Sequence, residues 1–286
     1  MIDELVALAS LKCGARLRAG GEIRRFDVAD DPQGRPVAWD GRPEPTLSIS
    51  NRWGGFVLPA LIGQYSMMPI EEMKTFISLS PEEAIALVRM ARLYQDALWL
   101  AESEPNLSWL MLVAAVETAA SFWCSSQSSP LERLRQARPN FCEELKATYG
   151  LDIVKRVAEE FADSIGATKK FVDFLLAYLP PPPRNRPPEW SQVDWSLGNL
   201  RRAFRQIYNY RSKALHGGMP FPEPMCMPPF GEQAGEVAPE RPYGRRMMFG
   251  GGTWLAKDLP MFLHTFEYIA RNALTDWWTS MAKSVT

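Results

Sequence analysis

Beyond residue 80, apolar residues recur at the three- and four-residue spacing of helices, and the polar positions between them supply starts and stops. Ser80-Pro81-Glu82-Glu83 combines an N-cap, a first-turn proline and the glutamate of a capping box, which predicts a helix to about Ala101. Asn106 then caps a second helix through Trp123, in which Leu110 to Val116 leave no polar face over two turns, the mark of a central helix. A second capping box, Ser129-Pro130-Leu131-Glu132, opens another helical stretch, with Gly150 and Gly166 as stops for the segments around residues 139–165. Phe171, Phe174, Leu175 and Tyr178 continue the helical spacing. A further helix runs from near Asp194 to about Leu215 and stops at Gly217-Gly218. The last covers about Leu255 to Met281, with Pro260 either at a kink or marking its true first turn.

The remaining segments read differently. Residues 1–78 are rich in Gly, Pro and Arg; Ile23, Phe26 and Val28 precede a turn at Asp31-Pro32-Gln33-Gly34, and Val37 and Trp39 follow it, which predicts a short hairpin. Pro180 to Pro183 and Pro187-Pro188 exclude helix and favour polyproline II, serving either as a stiff connector or as a peptide that docks in an aromatic groove. Residues 219–252 form a long Pro- and Gly-rich loop, and its end, Gly250-Gly251-Gly252-Thr253, suits either an anion-binding nest or a flexible joint. The fold class expected is mainly α: a helical domain over residues 79–286 joined to a small mixed α/β region over residues 1–78.

Composition narrows the chemistry. With 286 residues and 46% apolar side chains the chain can bury a substantial core, and a net charge of −1 gives no global field for nucleic acid or anionic membrane, so any such contact is local. Four widely spaced cysteines without a C-x-x-C pair, and only two histidines, leave no metal-ligand pattern and read as reduced cytosolic thiols. The start Met-Ile-Asp-Glu is unlike a signal peptide, and the longest uninterrupted apolar run, Trp109 to Val116, is far short of the ~20 residues of a membrane span. A soluble, cytoplasmic protein with no membrane contact is expected. Phosphate-binding, zinc-protease, serine-hydrolase and dinucleotide motifs are all missing from the sequence, and no cofactor is expected.

One segment departs from charge balance. Between Trp195 and Pro222 stand Arg201, Arg202, Arg205, Arg211 and Lys213 with no Asp or Glu. Such an excess can hold a phosphate backbone; it equally fits the solvated face of a helix buried through Leu200, Phe204, Ile207 and Tyr208. The segment ends Tyr208-Asn209-Tyr210-Arg211-Ser212-Lys213-Ala214-Leu215-His216-Gly217. Arginine offers a charged fork to a phosphate, and histidine can move a proton near neutral pH. Five residues advance about 140° around an ideal helix, so Arg211 and His216 share a face only if the last turn is distorted, which Gly217-Gly218 would permit.

Arg, four residues, then His before Gly, on an arginine-rich helix, resembles the signature of HEPN domains, particularly the Apea-like branch. The resemblance spans residues 80–282 as a helical layout. It implies metal-independent endoribonuclease activity in phage defence or growth arrest, with Arg211 on the scissile phosphate and His216 transferring protons. It also implies RNA as substrate, Arg201, Arg202, Arg205 and Lys213 as RNA-binding cations, a homodimer that brings two motifs together, and room for a regulatory partner protein. Glu117 and Asn209 are supporting candidates, the alternatives being a surface-facing Glu at a helix edge and plain polar surface. Glu117 directly follows the apolar run of the central helix and needs a partner, for which Arg211 is the candidate. Gly218 stands where nucleotidyltransferase-paired HEPN toxins carry a modified tyrosine, so that mode of control is not implied.

Two other readings stay open. A non-catalytic HEPN-like module would bind a partner protein or nucleotide and keep Arg211 and His216 for structure; a plain helical scaffold would bury His216 beneath residues 219–252. His216 also suits the carbonyl end of a helix without any catalytic role. His264, flanked by Phe262 and Phe266, reads as structural, as do most of the tryptophans and phenylalanines.

Overall fold

Ser80 and Ser129 each accept a hydrogen bond from the N–H three residues on, and Glu83 and Glu132 return one to the serine N–H, so both capping boxes start helices where the sequence places them. The computed structural model describes residues 2–20, 25–26, 36–38, 47, 55–63, 66, 68–127, 129–161, 166–229, 237–242, 246–249 and 252–283. Its helices are α1 (Ile2–Cys13), α2 (Pro81–Leu100), α3 (Pro105–Gln127), α4 (Pro130–Ala137), α5 (Pro139–Tyr149), α6 (Leu151–Glu160), α7 (Ala167–Ala177), α8 (Leu197–Gly217) and α9 (Leu263–Lys283). Two antiparallel ribbons complete it: β1 (Arg25–Phe26) with β2 (Pro36–Ala38), and β3 (Arg246–Phe249) with β4 (Gly252–Leu255). The protein is mainly α, a helical bundle. The turn residues 31–34 read from the sequence lie outside the described residues, as do Gly250 and Gly251.

Helix α3 is central. It packs on α2, α7, α8 and α9, and Trp109, Leu112, Val113, Ala115, Val116, Ala119 and Ala120 are all buried. Counted over the whole helix rather than as an unbroken run, Pro105–Cys124 is long and apolar enough to cross a membrane. Packing on four neighbouring helices demands the same composition. Helices α4 to α6 form a separate layer with its own small core of Leu134, Cys142, Val154 and Ala158.

Several boundaries differ from the sequence reading. Helix α3 begins at Pro105, so Asn106 lies in its first turn and its side-chain oxygen accepts from the Cys226 thiol rather than capping. Gly166 adopts a left-handed conformation just before α7 and starts that helix. Helix α8 begins at Leu197, three residues after Asp194, because the Asp194 carboxylate turns back to accept from the Ser196 N–H at 2.9 Å. Pro260 lies outside α9, whose entry is fixed instead by the Phe262 N–H donating to the Glu240 carbonyl at 3.0 Å.

Helix α1 had no counterpart in the sequence reading. Its Ala7, Leu8 and Leu11, with Val57, Leu58 and Leu61, share the core of the later helices. Buried Glu102, just past α2, ties this region down by accepting from the Val57 N–H (2.7 Å), the Leu58 N–H (3.2 Å) and Arg16 Nη2 (2.5 Å). The start of the 219–252 loop is likewise part of the core. Phe221 stacks on Trp109 at 5.1 Å, and the Trp109 indole N–H donates to the Met225 carbonyl. The proline-rich connector is held by the protein's own donors, with Trp195 on the Pro180 carbonyl and Tyr268 on that of Pro181.

Candidate functional site

Apart from Glu117 on α3, the candidate site residues lie on two faces of α8. At 100° per residue, Arg202, Arg205, Asn209, Lys213 and His216 fall within an arc of roughly 80°. All five are exposed, which fits a single solvent-facing stripe with His216 at its carbonyl end. Among the described residues Arg202, Arg205, Asn209 and His216 have no side-chain partner, and Lys213 lies over the Tyr210 ring at 6.0 Å. Arg201 sits at the edge of the stripe and is drawn toward α7 by Asp173 at 3.4 Å.

Arg211 lies roughly 180° from the middle of that stripe and faces α3. Its Nη2 is 2.6 Å from Glu117 Oε2, and Tyr208, one turn earlier, donates its hydroxyl to Glu117 Oε1 at 2.6 Å. The guanidinium carbon stands 5.5 Å from the Tyr208 ring centre. Glu117 therefore does have Arg211 as its partner, and the carboxylate is satisfied on both oxygens. Burial, then the hydrogen bond to Glu117, pushes the Tyr208 phenol well above its ordinary value, so the hydroxyl stays a protonated donor at neutral pH. The sequence places Tyr208 only in the buried stripe. Its spacing of three residues from Arg211, which puts both on one helix face, was the available signal for the shared carboxylate.

The distortion that would bring Arg211 and His216 together is not there. Helix α8 stays regular through Gly217, and the chain turns only at Gly218, whose φ of 62° is the left-handed value that glycine accepts; its N–H closes the helix on the Lys213 carbonyl. The cap follows His216, so the two side chains keep the divergence of an undistorted helix. His216 is exposed, not covered by residues 219–229. One copy of the chain thus presents a histidine on a cationic stripe and, on the other side of the same helix, an arginine locked to a carboxylate.

The chain matches no family model, no curated protein and no solved structure.

The second histidine is of another kind. His264 shares its nitrogen Nε2 with the Pro239 carbonyl at 2.8 Å, and its ring stacks near Phe262. Burial holds its pKa down at about 4, against weaker upward pulls from the Pro239 carbonyl and Glu240. The folded chain then resists a proton that the unfolded chain takes up near pH 6.5. Stability is full above that value and falls as pH drops toward 4, by about 2 kcal/mol at pH 5. Urea unfolding at pH 7 and pH 5 should show this loss in the wild type and a smaller one in His264→Gln. Equal losses in both would refute the assignment.

Proposed function

We propose that this protein is a metal-independent endoribonuclease of HEPN type, cytoplasmic and acting as a homodimer in phage defence or growth arrest. The observation that carries the reading is the exposed stripe on α8, in which, among the described residues, Arg202, Arg205 and Lys213 have no compensating carboxylate and lead to a His216 without a partner. The three cations hold the RNA backbone, and Asn209 supplies a neutral donor between them. His216 takes the proton as a ribose 2′-oxygen attacks the adjacent phosphorus, and the bond from phosphorus to the 5′-oxygen breaks as that oxygen takes a proton from solvent, giving a 2′,3′-cyclic phosphate and a 5′-hydroxyl. Arg211, held in a fixed direction by Glu117, supports phosphate charge in a site completed by the second copy. The divergence of Arg211 and His216 on one helix supports a site shared between two copies.

The test is incubation of purified protein with labelled RNA in EDTA. Cleavage leaving 2′,3′-cyclic ends supports the proposal, and no cleavage of any RNA offered to the dimer rejects it. Binding gives an independent measurement. In R202Q/R205Q/K213Q the slope of log affinity against log salt should become shallower by about 2, at roughly 0.7 per lost phosphate contact on single strands. An unchanged slope would place RNA elsewhere.

A second reading is favoured by the closed set of Tyr208, Glu117 and Arg211. All three make their hydrogen bonds within the chain and tie α8 to α3. On that reading the protein is a non-catalytic HEPN-like module binding a partner protein or nucleotide, and it would bind on the α8 stripe without cutting.

A further inference from the structure

A cavity of about 370 Å³ opens at the start of α9, away from α8, which contributes nothing to its wall. That volume is at the small end of the range of small-molecule sites, ~300–1,000 Å³. Pro59, Pro183, Pro187 and Ala238 give it rigid apolar sides, and His264, Glu267, Tyr268 and Arg271 on α9 give it a polar floor.

Arg271 is the unusual member. Gly14, just past α1 at φ +59°, has no side chain, and a Cβ there would stand 2.9 Å from Arg271 Cδ and Nε, so the arginine stem lies directly against the backbone at that glycine. The Arg271 Nε is 3.2 Å from Glu267 Oε1, which also accepts from the Tyr94 hydroxyl at 2.6 Å. The stem is pinned and the Nε edge is used, while the two terminal nitrogens have no partner among the described residues. The other carboxylate on the wall, Glu240, is engaged by Arg186 at 2.7 and 2.5 Å and by the Val193 N–H at 2.6 Å. The charged donors left over in this mostly apolar enclosure are therefore those of Arg271, already oriented.

We infer that the cavity binds a small organic anion, with its carboxylate or phosphate on the terminal nitrogens of Arg271 and a compact apolar body between the prolines. A planar fork held from behind by a carboxylate takes two oxygens of one anionic group in parallel hydrogen bonds. Because the arginine needs no reordering, little conformational entropy is lost when the ligand enters. Asn185 also lines the cavity and adds a neutral polar side chain to its wall. The site is separate from the α8 stripe and does not depend on what that stripe does.

Isothermal titration of the whole chain with benzoate, phenyl phosphate and neutral benzamide tests this. Either anion should bind with a Kd below about 1 mM, with benzamide at least about tenfold weaker, and the preferred anion tells carboxylate from phosphate. Two variants are compared: Arg271→Gln, which removes the fork, and Ala238→Phe, which fills the cavity and leaves the Arg271–Glu267 pair untouched. Each should weaken binding at least about tenfold while thermal melts show the chain still folded. Absence of binding by both anions, equal binding of benzamide, or wild-type affinity in folded Ala238→Phe would overturn the inference.

Discussion

Cleavage of RNA in EDTA is expected to fall about 10²- to 10⁴-fold in His216→Ala, the range contributed by a positioned proton-transfer group. The side chain is exposed and takes no partner among the described residues, so its removal should leave the melting temperature unchanged and the loss should lie in the chemical step alone. RNA affinity should also persist, since Arg202, Arg205 and Lys213 remain. Arg211→Ala is a less clean comparison. It leaves the Glu117 carboxylate with only the Tyr208 hydroxyl, so a loss of stability accompanies any loss of activity. Arg211→Lys keeps the charge but loses the second prong of the fork, and cleavage should drop with less unfolding. Full activity in His216→Ala would remove His216 from the chemistry. Binding without cleavage in the wild type would move the protein to the non-catalytic reading.

The largest effect on stability is expected at Glu102. Its side chain is fully buried, is paired with Arg16 and accepts two backbone N–H groups from residues 57 and 58. Alanine there would strand a mostly buried guanidinium and two buried donors at once, which costs about 3–5 kcal/mol and lowers the melting temperature by roughly 10 °C. Glutamine keeps one acceptor oxygen and should fall between. The exposed Glu71–Lys74 pair serves as a control, since its side chains are more than two-thirds exposed and Glu71→Ala should leave the melting curve nearly unmoved. A Glu102→Ala melt within about 2 °C of wild type would mean that the segment around Val57 docks without this carboxylate.

How far the residue pattern reached depended on the range of the interaction. Capping is decided within four residues, so Ser80-Glu83 and Ser129-Glu132 marked α2 and α4 accurately. Gly218 closed α8 as expected because a left-handed turn is a property of one residue. The unbroken apolar run pointed to α3 as the centre, since only a helix packed on several sides tolerates such a run. Asn106 and Asp194 misled because each is a common cap, yet Asn106 is occupied by Cys226 and Asp194 by the turn before the helix. Helix α1 carries no capping box of the kind that marks α2 and α4, and it adjoins a Gly- and Pro-rich segment. What makes it helical in the protein is burial of Ala7, Leu8 and Leu11 on distant helices.

Local sequence thus determined the helical class, the capped starts of α2 and α4, the glycine stops after α5 and α8, and the cationic character of α8, and it offered Arg211 as one candidate partner of Glu117. The tertiary structure decided what those residues can do together. It kept α8 regular through Gly217, which sends Arg211 toward α3 and leaves His216 on the opposite, solvent-facing stripe; no spacing rule fixes that, because the position of a helix break depends on which carbonyls and side chains surround it. It also brought Gly14, Tyr94, Glu267 and Arg271 to one place from three helical regions far apart in sequence. Such a meeting has no sequence signature, since it is set by how helices pack and not by the order in which they occur.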